Sequence, residues 1–488
     1  MNSVWTSIRG LAALIAVASV TACSSSLQQT SLPDTQPQAV SQGQAPSTGA
    51  SADDTAAPAS DSEDAPVSGS GEAPVSEPEA STTPSLATGR RAAAGSAAAQ
   101  QSSSLPAISA LRYVCRHPAQ AGRRECDAIV RTDTGGARSD GYHGSALSQA
   151  FSRAAGRNCN HSAPYCASDL QAAYGLSAIA KNAGRGSIVA VVDAYGYPNA
   201  SADLAVYRKS MGLPACTIAT GCLKIVNQSG QAGPLPKPNS DPSDDWRPEE
   251  ALDLDMVSAI CPNCKIVLVQ TNTNRASDLA AGVNAAVGRG AIAISNSYSG
   301  MEEDAANSAY QHSGRAITAS AGDSGTGPRA PCSYAGVVCV GGTSLLATSF
   351  GRGWSERAWR LTGSGCSAFV SKPQWQRQKG CPKRAEADIS AVADPSTGVA
   401  FYESAAGGWM QIGGTSVSSP IVAAVFALGP SAGRANAPQW IWRHGGSAAY
   451  HDVTSGSNGE CSILYLCHAR EGYDGPTGWG TPAGISGF

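Results

Sequence analysis

Four short apolar runs constrain this chain more than any other feature: Ser187-Ile188-Val189-Ala190-Val191-Val192, Lys265-Ile266-Val267-Leu268-Val269, Ala291-Ile292-Ala293-Ile294 and Ala316-Ile317-Thr318-Ala319. Each is apolar at successive positions, so it reads as a strand buried on both faces, as strands of parallel sheets are. Helical segments lie between them, notably Asn199 to Met211, Pro248 to Ile260 and Ala276 to Val287. Strand and helix in alternation imply a parallel sheet covered on both faces, and the stretch 106–488 is long enough for one large α/β domain.

The N-terminal quarter has a different character. Arg9 precedes an apolar run from Leu11 to Val20 that ends in Val20-Thr21-Ala22-Cys23 and is too short to span a bilayer as a helix. Residues 1–23 resemble a bacterial lipoprotein signal, in which Cys23 would take lipid and anchor the mature chain to a membrane. An ordinary cleaved secretory signal is the alternative. Both place the chain outside the cytoplasm, at the bacterial outer membrane or cell surface, with release to the extracellular space as a variant. Residues 24–105 are Ser, Ala, Pro, Gln, Asp and Glu with scarcely any large apolar residue, so they are expected to be a disordered tether with a reach of about 50 Å.

With Cys23 set aside, the other 14 of 15 cysteines fall into sequence neighbours. These are Cys115 with Cys126, Cys159 with Cys166, Cys216 with Cys222, Cys261 with Cys264, Cys332 with Cys339, Cys366 with Cys381, and Cys461 with Cys467. An even count in an exported chain argues for disulfides. Cys261-Pro262-Asn263-Cys264 also has zinc-ligand spacing, but no second pair of matching ligands follows it. A net charge of −3 without a basic cluster gives no reason to expect a nucleic-acid partner.

Gly413-Gly414-Thr415-Ser416-Val417-Ser418-Ser419-Pro420 runs into the apolar stretch Ile421 to Leu428 and looks like a serine nucleophile at a helix start. Glycines let the backbone turn and approach a substrate, the helix points its partial positive end at the serine, and proline suits a first helical turn. A capping turn on a buried helix would read much the same. A hydroxyl nucleophile needs a base, usually histidine. None of the seven histidines lies in a His-Gly-Thr signature, and Asp193, which resembles the acid of a subtilisin triad, has no histidine at the required distance downstream.

A carboxylate pair is the better candidate. Pro248-Glu249-Glu250-Ala251-Leu252-Asp253 opens a helix, and residues four apart share a face, so Glu249 and Asp253 point the same way. Two adjacent carboxylates resist joint ionisation, so the pair can act as a base in acid; acidic residues that merely favour the helix dipole are the alternative. Ser320-Ala321-Gly322-Asp323-Ser324-Gly325 follows a strand. Ser324 there echoes a chymotrypsin-like nucleophile, whereas a protonated Asp323 would be an oxyanion donor.

Together these motifs resemble the sedolisin family, serine-carboxyl peptidases of subtilisin-like fold, in order and spacing. Ser168-Asp169-Leu170-Gln171-Ala172-Ala173-Tyr174-Gly175-Leu176 and Ala387-Asp388-Ile389-Ser390-Ala391-Val392-Ala393-Asp394-Pro395 extend the resemblance, which covers about 165–488. It implies that Ser416 attacks a peptide carbonyl, Glu249 takes its proton, Asp253 supports Glu249 and Asp323 stabilises the oxyanion. Glu250 is not four residues from Asp253 and is the poorer base. An acidic optimum and polypeptide substrates follow. The resemblance also implies one calcium ion held by the side chains of Asp452 and Asp474 and the carbonyls of Val453, Arg470 and Gly472; Arg470 stands where the family commonly has glycine. Hard oxygen donors suit calcium, and a pair of Asx turns is the alternative.

Family members usually carry a long folded pro-segment, whereas only 106–160 lies between tether and the expected peptidase domain, 161–488. This region reads as a reduced pro-segment, an N-terminal extension of the catalytic domain, or an activation loop cut near Arg131 or Arg153. The expected product is a monomeric, acid-acting endopeptidase. A catalytically silent surface binding module on the same fold is the rival from another class. An esterase would want Gly-X-Ser-X-Gly, which is absent around Ser416.

Overall fold

The computed structural model describes residues 111–115, 120–132, 159–303 and 308–488. The signal with Cys23, the tether, and Arg153 lie outside the described residues. The central sheet is built from β1 (Ile188–Ala194), β2 (Leu223–Asn227), β3 (Lys265–Thr271), β4 (Ala293–Asn296), β5 (Ala316–Ser320), β6 (Val338–Ala347), β7 (Trp354–Ala358) and β8 (Ile389–Val392). Its spatial order is β7-β6-β5-β4-β1-β3-β2, with β8 added beside the first half of β6. Every pairing is parallel except β6 with β7, where the chain returns as an antiparallel edge.

The four runs read as strands are β1, β3, β4 and β5, and β1 and β3 each extend two residues further than the pattern suggests, to Ala194 and Thr271. Seven helices lie among the described residues: α1 (Ala167–Ala173), α2 (Ser177–Asn182), α3 (Ala200–Ser210), α4 (Arg247–Ile260), α5 (Ala276–Gly288), α6 (Thr415–Leu428) and α7 (Ala437–His444).

Successive residues of a strand face opposite sides, and β1 shows both sides covered. Val192 meets α5 at Gly282, where a Cβ would come within 2.7 Å of the Val192 and Thr271 methyls, so glycine sets how closely that helix packs. Asp193 faces the other way, within electrostatic reach of Glu250 and Asp253 on α4. On that side α6 lies across β4, β5 and β8 and alongside α4. All fourteen α6 residues are buried, as expected of a helix apolar on every face. Pro420 sits in the second turn of α6 rather than its first. Lacking an N–H, it leaves the Ser416 carbonyl without its i+4 donor.

A separate four-stranded antiparallel sheet has the order Leu111–Tyr113, Ile129–Arg131, Gly408–Gly413, Val399–Glu403. All seven neighbouring cysteine pairs are bonded. The Cys261–Cys264 bond removes the zinc alternative.

Candidate active site

Functional side chains of open parallel sheets gather at the carboxyl ends of the strands, and here those ends carry acids. Asp193 is the penultimate residue of β1, Ser297 follows β4, and Asp323 follows β5. The turn into α6 delivers Ser416 to the same place. Gly414 makes that turn possible: its φ is 104°, and a Cβ there would lie 2.1 Å from the Asp127 carbonyl oxygen and 2.5 Å from Asp323 Oδ2. Ser416 is therefore the second residue of a helix whose first N–H groups and dipole face the cleft. Its hydroxyl donates to the Ser297 carbonyl at 3.1 Å.

Glu249 and Asp253, one turn apart on α4, are both fully buried. Burial, then the charge of Asp253, hold the Glu249 carboxyl well above the usual carboxylate range. Neither Glu249 oxygen accepts a hydrogen bond of ordinary geometry among the described residues. The Ser416 hydroxyl is near enough to favour ionised Glu249, although its proton is turned to Ser297. Asp253 is also pushed well up, by burial and by Asp193, while Ser297 Oγ donates to its Oδ1 at 2.6 Å and pulls the other way. Asp193 has both oxygens buried without partners among the described residues and is raised by burial to about 8. Glu250 turns aside and accepts from Gln270 Nε2 at 2.7 Å.

Asp323 is held by Thr415, whose backbone N–H and hydroxyl both donate to Oδ1 at 2.8 Å. Its Oδ2 is buried and unpartnered among the described residues. Burial outweighs the two Thr415 bonds and raises Asp323 to about 7, so in mild acid it carries a proton that Oδ2 can present. Ser324, by contrast, points to solvent, which removes the chymotrypsin-like reading.

Ser297 and Thr415 escape sequence reasoning, because both act through position and neither belongs to a residue type that announces itself. Asp127 was also unforeseen. Its carbonyl accepts from the Ser416 N–H at 2.9 Å and its side chain from Ser299 Oγ at 2.8 Å.

The proposed metal ligands gather near the C-terminus. Asp452 Oδ2 accepts from Gly472 N at 2.8 Å, and Asp474 accepts from Arg470 N at 3.0 Å and from Thr477 N at 2.9 Å. Burial raises Asp474 to about 7, and the charge of Asp452 adds to the rise. Two like charges facing each other among oxygen donors fit a hard cation.

Residues 237–443 match the subtilase family. Over 168 residues the chain is 38% identical to sedolisin from Pseudomonas sp. (strain 101), a match covering 31% of this chain and 28% of that protein. Over 346 residues it is 28% identical to kumamolisin from Bacillus sp. (strain MN-32), covering 62% and 59%. Over these stretches the chain is similar to the sedolisin family. These matches span from about a quarter to three fifths of the relatives' own length. The fold agrees with the solved structure of Pseudomonas sedolisin, a serine-carboxyl proteinase complexed with pseudo-iodotyrostatin, at a TM-score of 0.55 and 24% identity, covering 66% of this chain and 96% of that one. The shared fold accounts for the parallel sheet with its buried helix at the serine.

Proposed function

We propose that the protein is an acid-acting serine-carboxyl endopeptidase. The observation that carries this reading is the buried Glu249–Asp253 pair beside Ser416, with no histidine in the cluster among the described residues. In mild acid the pair holds one negative charge between two carboxyls, since burial and mutual repulsion keep the second proton on. Ionised Glu249 draws the proton from Ser416 Oγ as that oxygen attacks a peptide carbonyl carbon. Negative charge develops on the carbonyl oxygen, where the Ser416 N–H and protonated Asp323 donate to it. Glu249 returns the proton to the leaving amine as the C–N bond breaks, and water then releases the acyl group by the same route. Asp253, fixed by Ser297, keeps Glu249 oriented and shares its charge.

The pH window follows from the shifts. Above about 7, ionised Asp323 repels the developing oxyanion. At the acid edge, which burial and mutual repulsion lift above the usual carboxylate range, the pair takes up its last proton and Glu249 loses its basicity. Hydrolysis of an acid-denatured protein by the chain, beside its Ser416→Ala variant, tests the reading. Activity peaking below neutrality and absent from the variant is expected, and activity surviving in the variant contradicts it.

A calcium ion would be held by Asp452 and Asp474 with the carbonyls of Val453, Arg470 and Gly472. It would neutralise the facing carboxylates and pin two glycine-rich loops, a structural role. Chelation is expected to lower Tm at neutral pH, and an unchanged Tm would remove the ion. Export and a lipid anchor at Cys23 complete the proposal; metabolic labelling with a fatty acid, lost in Cys23→Ser, tests the anchor.

A further inference from the structure

The stretch Arg123–Arg131 lies through the cleft as a strand, gripped on both sides of one peptide bond. Upstream of that bond, Glu125 and Cys126 pair antiparallel with Ser299 and Tyr298, and the Asp127 N–H donates to the Ser297 carbonyl at 3.4 Å. Downstream, Ile129, Val130 and Arg131 pair antiparallel with Gly413, Ile412 and Gln411, the strand that runs into the Ser416 turn. Between the two ladders the Asp127 carbonyl oxygen takes the Ser416 N–H at 2.9 Å and fills the space that Gly414 leaves by lacking a side chain. A carbonyl accepting the backbone N–H of the serine itself is placed as the carbonyl under attack must be. The segment is anchored further out by buried Arg124, paired with Glu303 at 2.8 Å, and by the Arg124 N–H on the Asn274 carbonyl at 2.9 Å.

The geometry points to Asp127–Ala128 as a bond that the protein cleaves in itself. This rests on the peptidase reading and deepens it. Ser416 Oγ adds to the Asp127 carbonyl carbon and its proton passes to Glu249. The bond to Ala128 N breaks with that proton moving onto the departing amine, and water hydrolyses the ester to leave a carboxyl on Asp127 and a free amine on Ala128.

Two further observations favour cutting over lasting blockade. Cys115–Cys126 lies wholly upstream of the bond and the other six disulfides wholly downstream. Hydrolysis therefore disconnects residues 1–127, with Cys23, from 128–488. The new carboxyl would also join the Asp127 side chain, Glu125, Asp323 and Glu249, with Arg329 as the facing cation, so a later rise in pH that ionises this cluster would expel the upstream product. Ile129–Arg131 stays paired to Gln411–Gly413.

The test incubates the purified full-length protein in steps from about pH 4 to 6.5, across the acid range below the ionisation of Asp323, and reads new N-termini by Edman sequencing and intact mass. An acid-denatured protein substrate is assayed in parallel. The expected result is a chain beginning Ala128-Ile129-Val130-Arg131, formed at a rate independent of protein concentration, and slower by at least about 10³-fold in Ser416→Ala, whose fold is checked by its melting curve. An intact Asp127–Ala128 bond while the substrate is hydrolysed, a first cut elsewhere, or a rate proportional to concentration would overturn the inference alone. Hydrolysis of neither would overturn the peptidase reading and the inference with it.

Discussion

Two clusters of buried charge in the same domain are treated in opposite ways. Arg384 and Asp388 are both fully buried and meet at 2.5 Å. Asp388 also accepts from Cys339 N at 2.9 Å and Trp442 Nε1 at 2.6 Å, while Arg384 reaches the Val337 and Ala385 carbonyls and stacks over Trp375. Glu249, Asp253, Asp193 and Asp323 are as deeply buried, yet each keeps at least one oxygen without a partner among the described residues. An unsatisfied buried carboxyl costs folding free energy unless it holds a proton. Only Arg384 Nε in the Arg384–Asp388 pair lacks a partner among the described residues, and both Asp388 oxygens are met. A carboxylate so satisfied marks structure, and a set of acids left hungry marks a site where protons and a substrate carbonyl are expected.

Substitutions should separate the two clusters. Ser416→Ala is expected to remove activity by about 10⁶-fold, and Glu249→Gln by about 10² to 10⁴-fold. Neither should lower Tm, and Glu249→Gln should raise it above neutral pH by removing a buried charge. Steady-state hydrolysis beside a melting curve checks both; a Glu249→Gln protein that unfolds would make Glu249 a structural acid. Asp388→Ala should do the reverse, costing about 3–5 kcal/mol by stranding Arg384, read as a shift in denaturant midpoint. The smallest effect is on stability against pH. Asp193 at about 8 and Asp323 at about 7 bind protons more tightly when folded than when unfolded, where carboxyls titrate near about 4. Their stabilisation is complete below about 4 and is lost as pH rises through 7 to 8. Calorimetry should show Tm falling over that range by roughly 10 °C; a Tm rising from acid to neutral pH would mean that other groups dominate.

The strands and helices were legible because a buried parallel strand and an amphipathic or buried helix leave different periods in the sequence. The neighbouring cysteines were legible for a simpler reason: short separations close small loops that fold locally. Glu249, Asp253, Asp323 and Ser416 could be singled out by motif, and the fold brings them together. What stayed hidden depends on distant contacts. Pro420 enters α6 a turn later than its type suggests, because the Gly414 turn lets the helix begin at Thr415. Ser297 matters through one hydroxyl and one carbonyl, which any small residue after a strand could imitate. The strand through Asp127 left no periodic signal, since its partners lie more than a hundred residues away.

The most direct measurement is the pH–rate profile of kcat/KM for an unstructured peptide. Carboxyl activation of Ser416 predicts an acid optimum and a decline as pH rises through about 7, where Asp323 ionises. The same profile in Asp323→Asn, whose amide donates at any pH, should lose that decline. A wild-type rate that climbs through pH 7 to a neutral or alkaline plateau would contradict the account, because that is the behaviour of a base other than the buried pair.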